Sequence, residues 1–158
     1  MYFDVYEPTL AELCVGKTLA ECITTQVYTG VDGVNEIYYH DADLENGAGD
    51  NSYRYVGANP NNYVCFGSDA ATCPAANLYR IIGVFGSEVK LIKNTSYGSY
   101  AWDSGGSNIW SSSDIRSTLN STFLGTLSST WQNKIANHAY KVGEMTDSNG
   151  TSIPRTAY

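Results

Sequence analysis

Charge is what this sequence has least of. Asp, Glu, Lys and Arg make up 16% of its 158 residues, against about 25% in an ordinary soluble chain. Nine basic residues face sixteen acidic ones, a net charge of -7. The nearest approach to a basic cluster is the isolated pair Lys90 and Lys93 on one expected strand. Phosphate backbones and anionic bilayers are therefore repelled on average, and nucleic acid is not an expected partner. Long apolar runs are missing as well: nothing nears the roughly eighteen residues of a membrane span, so insertion of this segment into a membrane is not expected. The start, MYFDVYEPTLAE, has neither the basic opening nor the apolar stretch of an export signal, so any such signal is expected outside this sequence.

Histidine is equally scarce. His40 is expected in the acidic loop and His138 in a helix beside Asn137, and neither has a neighbour in sequence that would make it a catalytic base. Gly47-Ala48-Gly49 and Gly105-Gly106 lack the spaced glycines of a phosphate cradle. An enzyme is not the expected outcome.

What is present fits one domain with its own core. The apolar fraction is an ordinary 42%, so Ser, Thr, Asn, Gly and Tyr must cover the surface in place of charge. Four cysteines fall as Cys14 with Cys22 and Cys65 with Cys73, seven residues between the members of each pair. Two local disulfides are the leading reading, with buried thiols or a metal site as the alternatives. Closing a nine-residue loop stabilises by about 2.6 kcal/mol in the chain-entropy model. Bridges of this kind belong to an oxidising place, outside the cell or at its surface.

Along the chain, Thr9 with Glu12 and Thr18 with Glu21 each fit a capping box, predicting short helical turns within residues 9–25 that bring Cys14 towards Cys22. Residues 37–62 read as two aromatic strands around a Gly, Asp and Asn loop. Asp41, Asp43, Glu45 and Asp50 offer carboxylates there, with Asn51 beside them. They make a weak calcium candidate, because Asn46 and Ser52 stand where an EF-hand needs Gly and Glu. No other cofactor is implied.

After a short strand from Tyr63 to Phe66 comes LYRIIGVFGSEVKLIK, residues 78–93: two apolar arms joined by Gly86 and Ser87, the residues of a two-residue hairpin. The near-continuous apolar first arm predicts a central strand buried on both faces. Next, NTSYGSYAWDSGGSNIWSSS reads as a long loop. A helix over 113–123 follows, capped by Ser112 or Ser113, with Ile115, Leu119 and Phe123 as an apolar stripe. Another spans 129–138, opened by Ser129 with Gln132 and turning Trp131 and Ile135 inward. AYKVGEM reads as a strand, and the tail to Tyr158 carries no closing element.

In the long loop, Tyr97, Tyr100, Trp102, Asp103 and Trp110 combine flat amphipathic rings with small polar neighbours. That composition stacks on sugars or peptides while Ser and Asp supply hydrogen bonds. The competing reading turns Trp102 and Trp110 inward as packing.

The hairpin and the helices after it carry a resemblance. Leu78-Tyr79-Arg80-Ile81-Ile82 with Val89-Lys90-Leu91-Ile92, then Ile115-Arg116, Leu119-Asn120, Phe123, Leu127-Ser128 and Trp131 to Ile135, resemble a domain of unknown function from secreted and cell-surface proteins of Firmicutes-type bacteria. That domain is related to the C-type-lectin-like fold of sulfatase-modifying enzymes. The match covers about 52–143, leaving 1–50 as a helical extension and 144–158 as a tail of a single domain, 1–158. It implies an α+β fold: a small antiparallel sheet centred on the 78–93 hairpin, with short helices, forming part of a C-type-lectin-like domain. The cysteine chemistry of the sulfatase-modifying relatives does not carry over, because these cysteines lie outside the matching motifs. The family's closing tryptophan-rich and final strands do not follow here, which implies either a fragment of a longer chain or a sheet completed by another polypeptide, an open edge being a site for strand addition. A bacterial origin would leave the sequons at Asn94, Asn120 and Asn149 silent.

The expectation is a non-enzymatic extracellular or cell-surface adhesion module, with a carbohydrate or a host or bacterial surface protein as its partner. The alternative is a pilin-like structural subunit that self-associates through its open edge.

Overall fold

The computed structural model describes residues 9–45, 49–106 and 109–138, together with the backbone of four short strands after them. The fold is α+β, and the chain divides into two compact units, 1–97 and 98–158. In the first, α1 (Leu10–Leu13) and α2 (Leu19–Cys22) each start on the expected capping box, Thr9 with Glu12 and Thr18 with Glu21. Hydrogen bonds from Thr18, its backbone N–H before its hydroxyl, hold the Glu21 carboxyl below its ordinary range. α2 continues as a π-helical turn, Ile23–Val27. The hydroxyls of Thr24 and Thr25 donate to the Ala20 and Glu21 carbonyls at 3.0 and 2.6 Å, an arrangement that loosens a regular helix.

Five antiparallel strands form the sheet: β1 (Ile37–His40), β2 (Ser52–Tyr55), β3 (Tyr63–Cys65), β4 (Leu78–Phe85) and β5 (Glu88–Lys93). β4 is central. Its first half pairs with β3 and its second half with β2 on one side, while β5 runs along the other and β1 flanks β2. Gly86, at φ 62°, takes the first position of the two-residue turn that sets Phe85 opposite Glu88, as the sequence predicts.

A bulge separates Ile81, opposite Leu91, from Gly83, opposite Lys90. The extra residue, Ile82, resets the alternation so that Ile81 and Val84 share one face. That face meets Ala20 and Ile23 from α2 and its extension, and Ile37 from β1, to make the core. The opposite face is covered around Ser52, which is fully buried, and exposed around Ile82, Tyr63 and Ile92, so β4 is central but not buried on both sides along its length. Gly83 is fixed by contact: a Cβ would come within 2.3 Å of the Tyr53 carbonyl oxygen. The first fifty residues, read from sequence as an extension, supply three of the five residues of this core.

Both expected disulfides form, Cys14–Cys22 with Cα atoms 5.2 Å apart and Cys65–Cys73 at 5.7 Å. The outer edge of β1 is closed locally: Gly33 donates to the Ile37 carbonyl at 3.0 Å, and Tyr39 donates to Asp32 Oδ1 at 2.9 Å.

The second unit holds α3 (Asp114–Ser117), which runs into a π-helical stretch and a 3-10 turn ending at Thr126, and α4 (Ser129–Gln132). α4 ends at Gln132 rather than at 138, and Ile135 is exposed. Its N-cap is Ser128, without a side-chain cap. Gln132 instead donates to the Leu124 and Leu127 carbonyls at 3.1 and 2.7 Å, closing the preceding helix. Of the expected stripe, Leu119 is exposed while Ile115 and Phe123 are half-buried. The tail does pair: β6 (Tyr140–Lys141) with β9 (Thr156–Ala157), and β7 (Met145–Thr146) with β8 (Ser152–Ile153). The Asn149 sequon lies outside the described residues.

Candidate functional site

The aromatic site is built in the second unit, on the segment before α3. Ser113 caps that helix: its Oγ accepts from the Arg116 N–H at 3.3 Å and donates to the Trp110 carbonyl at 3.0 Å. Trp110 is thereby tied to the helix start. Trp102 is tied to the same turn, its carbonyl accepting from the Ile115 N–H at 3.1 Å. Asp114 completes the clamp by accepting from the Ser104 N–H at 2.7 Å. Hydrogen bonds from Ser104, the side chain before the backbone, hold the Asp114 carboxyl below its ordinary range.

The two indoles so anchored pack together, ring centroids 5.7 Å apart and planes tilted by 47°. Trp102 remains 46% exposed, with Tyr100 at 51% and Ile109 at 62%. The Tyr100 ring lies over Gly98, where a Cβ would come within 2.8 Å of it. Asp103 is half-buried, its carboxylate close to Gly105 and its carbonyl accepting from Gly106 at 3.4 Å. Tyr97 closes the first unit and is half-buried there. The indoles are therefore partly packing and partly surface. A tilted pair of this kind can stack a flat or ring-shaped ligand on one exposed indole, and does not form a single coplanar platform.

The acidic stretch is organised for structure. Asp41 accepts from the Asp43 N–H, and Asn51 Oδ1 from the Ala42 N–H, both at 2.9 Å. Asp50 is spent on Arg54, at 2.8 and 3.1 Å. Among the described residues, no three His, Cys, Asp or Glu side chains gather as a metal site, and that includes Asp41, Asp43, Glu45 and Asp50.

His40 ends β1 rather than lying in a loop, directly opposite Ser52 of β2. With Asp50 bonded to Ser52 at 3.1 Å, this places Ser, His and Asp together. Ser52 is fully buried, however, and its oxygen also accepts from Arg54 Nε at 2.9 Å. A serine without access to substrate, and with a cation donating to its oxygen, is not an activated nucleophile. The His40 Nδ1 atom is buried without a hydrogen-bond partner among the described residues.

A polar lock on the sheet escaped the sequence reading. Arg80 donates from Nε to Asn62 Oδ1 at 2.8 Å and from Nη2 to the Pro60 carbonyl at 2.9 Å, and its guanidinium stacks over Tyr63 at 4.9 Å. Buried Asn62 donates to the Ile81 carbonyl at 2.6 Å. The signal was a lone arginine in an otherwise apolar strand, which must find acceptors when half-buried. No protein-family model, curated protein or solved structure matches this chain.

Proposed function

We propose that the chain is a non-enzymatic extracellular binding module of a bacterial surface protein, with a partial C-type-lectin-like architecture, that engages its ligand through the loop around Trp102 and Trp110. The observation carrying this reading is the anchored indole pair: two tryptophans tied by backbone hydrogen bonds to one helix start, with Trp102, Tyr100 and Ile109 left about half exposed. Apolar rings held in place and left wet are inefficient as core, but they lower the ordering cost of binding. The two disulfides support an oxidising location. Among the described residues, no helix is long and apolar enough to cross a membrane. The bacterial and lectin-like parts of the reading rest on the hairpin and helix motifs of the sequence.

The test is a glycan and surface-protein array probed with the whole chain and with a Trp102→Ala/Trp110→Ala double variant. Binding that the double variant loses is the expected result. No binding, or binding the double variant keeps, overturns the proposal.

One observation favours the second reading, a pilin-like self-assembling subunit. β5 pairs only with β4, and the register turns the outer N–H and C=O of Val89 and Leu91 away from it, with no partner among the described residues. Lys90 and Lys93 on the same strand are the residues that discourage edge pairing, which ranks this reading second. Light scattering over a concentration series separates the two, since assembly requires a growing mass.

A further inference from the structure

We propose that the open face of the sheet around Arg80 is a second docking surface, and that it fits an acidic, partly apolar polypeptide segment. The β3–β4–β5 register sets Tyr63, Arg80 and Ile92 in one row across three strands, on the side away from the core. Ile92 is 54% exposed and Tyr63 45%. The bulge adds Ile82 to the same side, 37% exposed, and exposed Lys90 lies there too. Half-exposed apolar groups around an arginine stacked on tyrosine match the residue types that dominate binding energy at protein interfaces.

Charge selects the partner. Arg80 meets only the neutral oxygens of Asn62 and Pro60, so among the described residues no carboxylate offsets its charge. Glu88 shares this face of β5 with Lys90, so the positive charge is confined to the Arg80 end of the face, on a molecule of net charge -7, and a complementary partner brings carboxylates there. Pre-organisation favours a binding role as well. The loop below this row is held from both ends, by Arg80 and Asn62 on one side and by Glu36 on the other. Glu36 accepts from the Asn61 N–H at 2.8 Å through its carboxylate and from the Val56 N–H at 3.0 Å through its carbonyl. Asn35 and Glu36 take left-handed φ values of 54° and 60° to do so. Such strain, typically about 1–3 kcal/mol per residue, persists where the surroundings over-determine it and gathers at ligand clamps.

The probe is a blocked octapeptide of alternating Asp and Leu, titrated into the isotope-labelled whole chain and followed by amide chemical shifts. Lys/Leu and Ser/Leu octapeptides are the comparisons. Saturable shifts at Tyr63, Ile82 and Ile92 with the acidic peptide, weakened by salt and absent with the basic one, are expected. Ile92→Ser and Tyr63→Ser should each weaken binding roughly tenfold, while Trp102→Ala leaves it unchanged, which separates this surface from the aromatic loop. Ile92 is half exposed, so its variant keeps the fold and the test stays decisive. Equal response to all three peptides, shifts elsewhere, or affinity unaffected by the Ile92 and Tyr63 changes overturns the proposal.

Discussion

The two units solve the problem of holding a chain in shape by different means. The first, 1–97, has both disulfides, the five-stranded sheet and a core in which Ile37, Val84 and Ile23 are almost wholly enclosed. The second, 98–158, has one buried apolar side chain among its described residues, Leu127. Its helices are short runs of α, π and 3-10 geometry, and its loop is held by hydrogen bonds to the start of α3. A region built on burial is rigid because opening it exposes apolar area to water. A region built on a few polar ties can leave large rings at the surface, as ligand recognition requires.

The sharpest way to break this comparison is to remove core from the first unit. Ile37→Ala should cost about 2–5 kcal/mol in denaturant unfolding followed by circular dichroism, and Ile135→Ala, at an exposed position, close to nothing. Equal costs would erase the distinction. Next in size is reduction of the disulfides. Each bridge contributes about 2.6 kcal/mol in the chain-entropy model, so dithiothreitol should lower the melting temperature, with amide shifts on α1, α2 and β3. Third, Arg80→Lys keeps the charge but loses the forked donors to Asn62 and Pro60, and about 1–3 kcal/mol is expected from hydrogen bonds of a charged group. A loss indistinguishable from zero would mean that the lock is decorative.

The smallest effect is set by pH. Asp114 has its carboxyl held below the ordinary range by Ser104, so its clamp on the aromatic loop is in full force above the usual carboxylate pKa. It is lost as the pH falls through the lowered value. Tryptophan emission should change in that acid window in the wild type and not in Asp114→Asn. Both groups are exposed, so the global melting temperature should barely move.

Much of the first unit was legible because its signals are local. A capping box needs residues three apart, a two-residue turn needs glycine at the correct place, and short disulfide loops need only spacing. The sheet order was not legible. That β2 and β3 share one side of β4 is set by pairings between residues distant in the chain, including the close approach of Gly83 to the Tyr53 carbonyl, and such pairings leave no local signal. Nor does periodicity tell Arg80 as a clamp from Arg80 as a solvated charge. In the second unit, the Trp131 and Ile135 spacing extends α4 to 138 and turns Ile135 inward, whereas the helix ends at Gln132, whose amide donates to the Leu124 and Leu127 carbonyls, and Ile135 is exposed. Trp102 and Trp110 fit both a binding and a packing role by sequence; in the structure they pack on each other, and Trp102 stays 46% exposed.

Residue-resolved hydrogen exchange on the intact, oxidised chain tests the central claim most directly. Amides of Ile81 and Val84 should exchange only through global unfolding, while those of residues 99–104 exchange by local opening at rates orders of magnitude faster. Protection of the aromatic loop equal to that of β4, or rapid exchange at β4 itself, would contradict it.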